Sequence, residues 1–214
     1  MSSIKNSAGK PVLQKIVAAI QQNKEYLSEI DGLIGDGDHG MNMNKGFTMF
    51  GDQIMDKDIS FADGLNDLGN VLFSKIGGSM CPIYGTTFMG MAEAGEKLEE
   101  IDIEGFAVML GAGLNSLQDV VQAQVGDKTL IDSLWPANEA VQKAAKEGKN
   151  FADALKEMKA AAEAGRDSTK ELVAKFGRSS RLGERSRGVL DAGAVSCCII
   201  LCAMADGILE LIGA

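Results

Sequence analysis

Histidine, proline and aromatic residues are scarce in this chain of 214 residues. One histidine, His39, beside four cysteines cannot supply the paired Cys and His spacings of a structural zinc site. Three prolines leave long stretches open to helix. An aromatic content of 5% offers little on which a nucleobase could stack, so a base would rest on aliphatic or methionine side chains. Positive charge is also short. Lys and Arg number 21 against 30 Asp and Glu, and the net charge of −9 argues against general nucleic-acid binding. No apolar run reaches the ~20 residues of a membrane span. The longest, Ala192 to Ala205, is bracketed by Asp191 and Asp206 and reads as a buried core helix. The start, Met1-Ser-Ser-Ile-Lys, lacks the apolar stretch of a signal peptide. Cys81, Cys197, Cys198 and Cys202 read as buried, reduced thiols, although Cys198 and Cys202 share a helical face and leave a metal or redox pair open. The expectation is a cytoplasmic protein with neither nucleic acid nor membrane among its partners.

Hydrophobic residues make up 45% of the chain, enough to bury a core, and residues 1–214 read as one domain. Strand alternation is absent and helical periodicity recurs. Val12, Leu13, Ile16, Val17 and Ile20 form one stripe. Val195, Cys198, Ile199, Cys202, Ala205, Leu209 and Ile212 form another. Ser60 with Asp63, Asn150 with Asp153, and Ser168 with Glu171 have the spacing of helix-starting caps. Pro82 suits a first helical turn. These signals predict eight helices, at 11–29, 39–55, 61–75, 82–98, 104–122, 129–147, 151–174 and 191–212. The fold class is all-α, a bundle or helical barrel.

The loops carry the chemistry. Asp31-Gly-Leu-Ile-Gly-Asp36-Gly-Asp38-His39-Gly40 crowds three carboxylates and the only histidine into a glycine-rich segment. Neighbouring carboxylates repel unless a cation neutralises them. The segment reads either as a turn ahead of the next helix or as a cage of hard oxygen ligands for a divalent cation. Gly35-x-Gly37-x-x-Gly40 matches a dinucleotide fingerprint by letter only, since no strand precedes it and its aspartates would repel a pyrophosphate. An EF-hand fails because the twelfth position from Asp36 is Phe47. Magnesium takes one or two protein carboxylates per ion, so three aspartates suit two ions bridging a phosphate chain, beside the amides of the next helix. Loops 76–81, 123–129 and 176–193 are also unusual. The last gathers Arg178, Arg181, Arg185 and Arg187, four of the five arginines, and points to an anion or to a solvated basic turn.

The segment Ile34-Gly-Asp-Gly-Asp-His-Gly-Met-Asn-Met-Asn-Lys-Gly-Phe47 resembles the signature of the nucleotide-binding (L) domain of dihydroxyacetone kinases. Gly77-Gly-Ser79, Tyr84-Gly-Thr86, Gly126-Asp-Lys-Thr129, Gly177-Arg178, Leu182-Gly-Glu-Arg-Ser186 and Asp191-Ala-Gly193 follow in the family's order. The resemblance spans essentially the whole chain. It implies an eight-helix antiparallel barrel with the nucleotide at one rim, and it allows a lipid-like molecule in the apolar interior. It implies that Asp31, Asp36 and Asp38 hold two magnesium ions and that His39 and Asn42 contact the phosphates of ADP or ATP. Ser79, Met80, Leu130, Arg178, Asp191 and Gly193 fall at the family's further nucleotide positions, with Arg178 as the catalytic residue. Three departures stand out. Met80 and Cys81 replace a Ser-and-Gly continuation after Ser79, Ala192 replaces a proline, and Val120-Val-Gln-Ala123 replaces an Arg-Gly-Lys-Ala stretch.

With His39 in the metal motif, no histidine remains to hold a ketone covalently, as the family's substrate-binding (K) domain does. The expectation is a phosphotransferase subunit of the phosphotransferase-system-dependent type, inactive on dihydroxyacetone alone. Its partners are a K subunit and a phosphoryl-carrier protein that recharges ADP. Two alternatives stay open, the nucleotide subunit of an ATP-dependent two-chain ketose kinase and a non-catalytic sensor that binds a transcription regulator. A homodimer is compatible with each.

Overall fold

The computed structural model describes residues 2–76 and 80–214, with Met80 and Cys81 described by backbone alone. Among the described residues nine α-helices form: α1 (Lys10–Gln22), α2 (Lys24–Ile34), α3 (His39–Ile54), α4 (Phe61–Lys75), α5 (Met80–Gly95), α6 (Ile103–Gln118), α7 (Ile131–Lys146), α8 (Phe151–Ser168) and α9 (Ala192–Ile212). From α3 to α9 each helix packs on the next, and α1 lies between α9 and α3, so the ring closes. From α3 onward each helix turns back along its predecessor, through links that are short except for 119–130 and 169–191. The all-α barrel expected from the sequence is the observed fold. Alternation gathers the C-terminal ends of α2, α4, α6 and α8 with the N-terminal ends of α3, α5, α7 and α9 at one rim.

Three expectations about helix bounds and loops need correction. The helix expected over 11–29 is broken at Asn23, whose φ of −102° and ψ of 7° leave the helical range. Its continuation runs to Ile34, so Asp31 sits in the last turn of α2 rather than in a loop. Ser168 starts no helix, because its hydroxyl turns back to donate to the Gly165 carbonyl at 2.7 Å, and only a 3-10 turn (Thr169–Glu171) follows. The arginine-rich loop is not irregular throughout, since Ser179–Ser186 winds as 3-10 turns bent at Gly183, φ 55°. A two-residue antiparallel pair, Ile4–Lys5 with Glu100–Ile101, was also unforeseen. It ties the N-terminal segment to the α5–α6 link.

Other caps hold. The Asp63 amide donates to Ser60 Oγ at 3.0 Å and the Asp153 amide to Asn150 Oδ1 at 2.8 Å. Such caps contribute about 1 kcal/mol each. The α1 stripe Val12, Leu13, Ile16, Val17 and Ile20 is buried as expected. The core also takes in Phe47, Phe50, Phe61, Phe106 and Phe151, all fully buried. Burying such a ring is worth about 1.5–3 kcal/mol. Helix α9 departs from its expected stripe, because Ile199, Cys202, Leu209 and Ile212 are only partly buried while Ser196, Cys197, Ile200 and Met204 are sealed in. Helices α1, α2, α7 and α8 pack around it, and its partly exposed positions Ile199, Cys202, Asp206 and Leu209 fall along one face. Its 21 residues exceed the apolar run and are long and apolar enough to cross a membrane, yet 67% of that stretch is buried within the fold.

Two close approaches set the rim. A Cβ at Gly40 would collide with the Lys24 carbonyl and with Ser28 of α2, so only glycine allows α3 to start against α2. At Gly165 a Cβ would strike the Asp132 carbonyl of α7. That carbonyl has no helical partner because Pro136, four residues on, lacks an N–H. Gly40→Ala is expected to lower stability by about 1–3 kcal/mol, because backbone rather than a rotatable side chain must yield. An unchanged urea midpoint would contradict that reading of the crossing.

Candidate functional site

A cavity of about 550 Å³ opens at this rim. Its wall includes Asp31, Asp36, Asp38, His39 and Asn42 from the α2–α3 corner, and Leu130 at the start of α7. Arg178 comes from the loop after α8, and Asp191 and Gly193 from the start of α9. Nine expected site residues from separate segments therefore share one space. Ser79 and the Met80 side chain lie outside the described residues. The starts of α3, α7 and α9 open on the cavity, and helix N-termini with unpaired amides favour anions.

The α2–α3 corner explains how the aspartates are placed. Helix α2 ends at Gly35, whose amide donates to the Asp31 carbonyl at 2.5 Å. Gly37 then takes a φ of +79°, which suits glycine. The Asp31 side chain folds over the turn. Its Oδ1 occupies the space a Cβ at Gly35 would need, and its Oδ2 accepts from the His39 amide at 3.3 Å. Asp31 thereby caps α3 across the turn, while the N-cap residue Asp38 makes no side-chain cap of its own. Asp36 forms an ion pair with Arg178. With Arg178 63% exposed, the pair is worth only about 0–1 kcal/mol and can exchange for other partners.

No three His, Cys, Asp or Glu side chains among the described residues converge on one ion-sized point. Three carboxylates on one wall without a common focus fit cations that take one or two of them each and complete their shell with water and phosphate oxygens. The donor set, hard oxygens beside glycines with no side chain in the way, suits magnesium.

His39 is 3% exposed and is held by Ser196, with Nε2 to Oγ at 2.8 Å. Burial pushes its pKa down to about 4, so the ring is neutral near pH 7. The Tyr84 hydroxyl lies 2.7 Å from Ser196 Oγ and 3.0 Å from the Gly193 carbonyl. One buried polar chain thus joins α3, α5 and α9. On the opposite wall Lys128, φ 62°, is buried and donates from Nζ to the Thr169 and Val189 carbonyls. Its neighbour Asp191 caps α9, accepting from the Ala194 amide at 2.8 Å. Burial pushes Asp191 up to about 7 and Lys128 down. Both shifts favour uncharged forms, so desolvation outweighs their mutual attraction. Asp132 accepts from the Gly126 amide at 2.6 Å and the Thr129 amide at 2.7 Å, shaping the turn into α7.

The profile of the DAK2 domain matches residues 33–206. This chain belongs to the DAK2 domain family. It is 37% identical to the PEP-dependent dihydroxyacetone kinase 1, ADP-binding subunit DhaL, of Listeria innocua over 86% of this chain and 88% of that protein. It is also 37% identical to the PTS-dependent dihydroxyacetone kinase, ADP-binding subunit DhaL, of Lactococcus lactis, with the same coverage of each. The crystal structure of the dihydroxyacetone kinase of C. freundii superposes with a TM-score of 0.72 at 21% identity. It covers 96% of this chain, which spans 35% of that longer one. That kinase has also been solved in complex with AMP-PNP and Mg2+.

Two residues of the cavity wall of this DAK2 domain, Lys128 and Phe176, and two buried near it, Tyr84 and Ser196, carry little individual signal in the sequence. Lys128 and Tyr84 lay inside noted motifs without a role, and Phe176 stood beside the noted Gly177. Ser196 was hidden in an apolar run, where a hydroxyl three residues after Gly193 was the only signal. Proton NMR of the single histidine is expected to show a midpoint near 4 rather than 6.5. The unfolded chain then holds the extra proton between those values, so this group lowers stability as pH falls through that window. A midpoint near 6.5 would mean the ring is open to water.

Proposed function

We propose that this chain is the ADP-binding phosphotransferase subunit of a dihydroxyacetone kinase of the phosphotransferase-system-dependent type. A phosphoprotein partner recharges ADP, and the γ-phosphoryl goes on to dihydroxyacetone held by a separate K subunit in the cytoplasm. The carrying observation is that nine of the eleven residues expected from the family signature line one cavity. The names of the Listeria and Lactococcus relatives support the substrate and donor.

In this reading Asp31, Asp36 and Asp38 hold two magnesium ions. When bound, magnesium and nucleotide supply charge neutralisation and the transferable phosphoryl group. The α3 amides, with His39 and Asn42, line the phosphate end. Leu130, Asp191 and Gly193 line the opposite wall, and Ser79 and Met80 belong to the same nucleotide site. Arg178 stands at the mouth, where exchanging Asp36 for a phosphate oxygen costs little. Its fork suits charge that develops on equatorial oxygens. Catalysis is then mainly positioning of groups that the barrel already holds.

The chain purified from cells is expected to retain ADP that a phosphoryl-carrier protein can rephosphorylate. Rapid exchange with bulk ATP would sink the donor assignment. Asp36→Asn is expected to weaken magnesium-dependent ADP binding by about 10–100-fold, the loss of one charge-assisted contact. Calorimetry with unchanged affinity would remove Asp36 from the metal set. Arg178→Ala is expected to slow phosphoryl transfer in the reconstituted system about 100-fold while leaving the melting temperature unchanged. An unaltered transfer rate would exclude a catalytic role.

A further inference from the structure

The buried chain behind His39 has more contacts than its hydroxyls have protons. Three short contacts run in series, His39 Nε2 to Ser196 Oγ at 2.8 Å, Ser196 Oγ to Tyr84 Oη at 2.7 Å, and Tyr84 Oη to the Gly193 carbonyl at 3.0 Å. Each needs one proton. Ser196 and Tyr84 supply one each, and the carbonyl supplies none. The third must sit on His39 Nε2. In the alternative, Ser196 donates to the Gly193 carbonyl at 3.1 Å and Tyr84 to Ser196; the Tyr84–Gly193 contact then goes without a proton, and Nε2 must still donate. If Ser196 instead donated to Nε2, the Tyr84 proton alone would have to serve three oxygen–oxygen contacts, leaving two without a proton rather than one. Ser196 is fully buried and Tyr84 is 3% exposed, so water is poorly placed to repair such a gap.

We propose that Tyr84 and Ser196 are positioning residues that hold the proton of the buried His39 ring on Nε2, leaving Nδ1 as a hydrogen-bond acceptor toward the cavity. Nδ1 has no hydrogen-bond partner among the described residues, and His39 lines the cavity wall. A lone pair there repels a bare phosphate oxygen and takes a donor. Beside Asp31 and Asp38 the fitting donor is a water held by the site's cation, an assignment that rests on the magnesium–nucleotide reading above. His39 then orients that water, and the α3 amides remain the direct anion contacts.

The chain holds a single histidine, so its ring nitrogens can be read without ambiguity. Two-bond proton–nitrogen NMR of the ligand-free, labelled protein near neutral pH is expected to show a protonated Nε2 and an unprotonated Nδ1. A protonated Nδ1, alone or with Nε2, would overturn the proposal. Tyr84→Phe should keep the same tautomer, because Ser196 can turn to the Gly193 carbonyl, and a reversed tautomer there would also overturn it. Ser196→Ala should average the two nitrogen signals and weaken ADP binding about tenfold only when magnesium is present, with Ser196→Thr restoring both. Equal losses with and without magnesium would reject the water-orienting role. The tautomer is read without nucleotide, so failure to bind ADP would remove the proposed function and leave the tautomer standing.

Discussion

Every helix leaves backbone amides unpaired at its start and carbonyls unpaired at its end, and this barrel gathers nearly half of those ends at one rim. Such groups are costly to bury without partners. Here charged side chains supply several of them. Asp31 takes the His39 amide, Asp132 takes those of Gly126 and Thr129, and Asp191 takes that of Ala194. Lys128 serves the carbonyls of Thr169 and Val189. Of these, Asp31, Lys128 and Asp191 also form the wall of the cavity, and stability and site chemistry are hard to separate there.

The arginine loop illustrates the same economy. Buried Ser186 accepts from the Ala174 amide at 2.9 Å and donates to the Gly183 carbonyl at 2.7 Å. Arg187 pairs with Glu184 and donates to the Glu171 carbonyl. Lys175 pairs with Asp127 at 2.6 Å, fastening the loop's base to the turn before α7. With its frame held this way, the loop presents Arg178 to the cavity and leaves Arg181 and Arg185 exposed. Four arginines that look alike in sequence thus divide into one that holds the loop, one at the site and two facing solvent.

Local signals were legible wherever their cause was local. The caps at Ser60 and Asn150, the α1 stripe and the aspartate cluster all follow from contacts within a few residues. Ser168 failed because the same spacing serves a helix end as well as a start, and nothing nearby distinguishes them. The α9 stripe failed because apolar residues run all round this helix, so periodicity could not tell which side the neighbouring helices would leave partly open. The break at Asn23 failed because an apolar pattern continues across it.

The sequence by itself determined the fold class, the helix count to within one break, and the chemistry of the aspartate and arginine loops. These rest on periodicity, on charge and on glycine's freedom at turns. Tertiary structure decided which side chains meet. Only the closed ring brings residues 31–42 beside 128–130, 178 and 191–193. Only the packing of α3, α5 and α9 puts His39, Tyr84 and Ser196 in one water-excluding chain. Hydrogen bonds that cross the barrel depend on distances between helices, and no spacing along the chain encodes them.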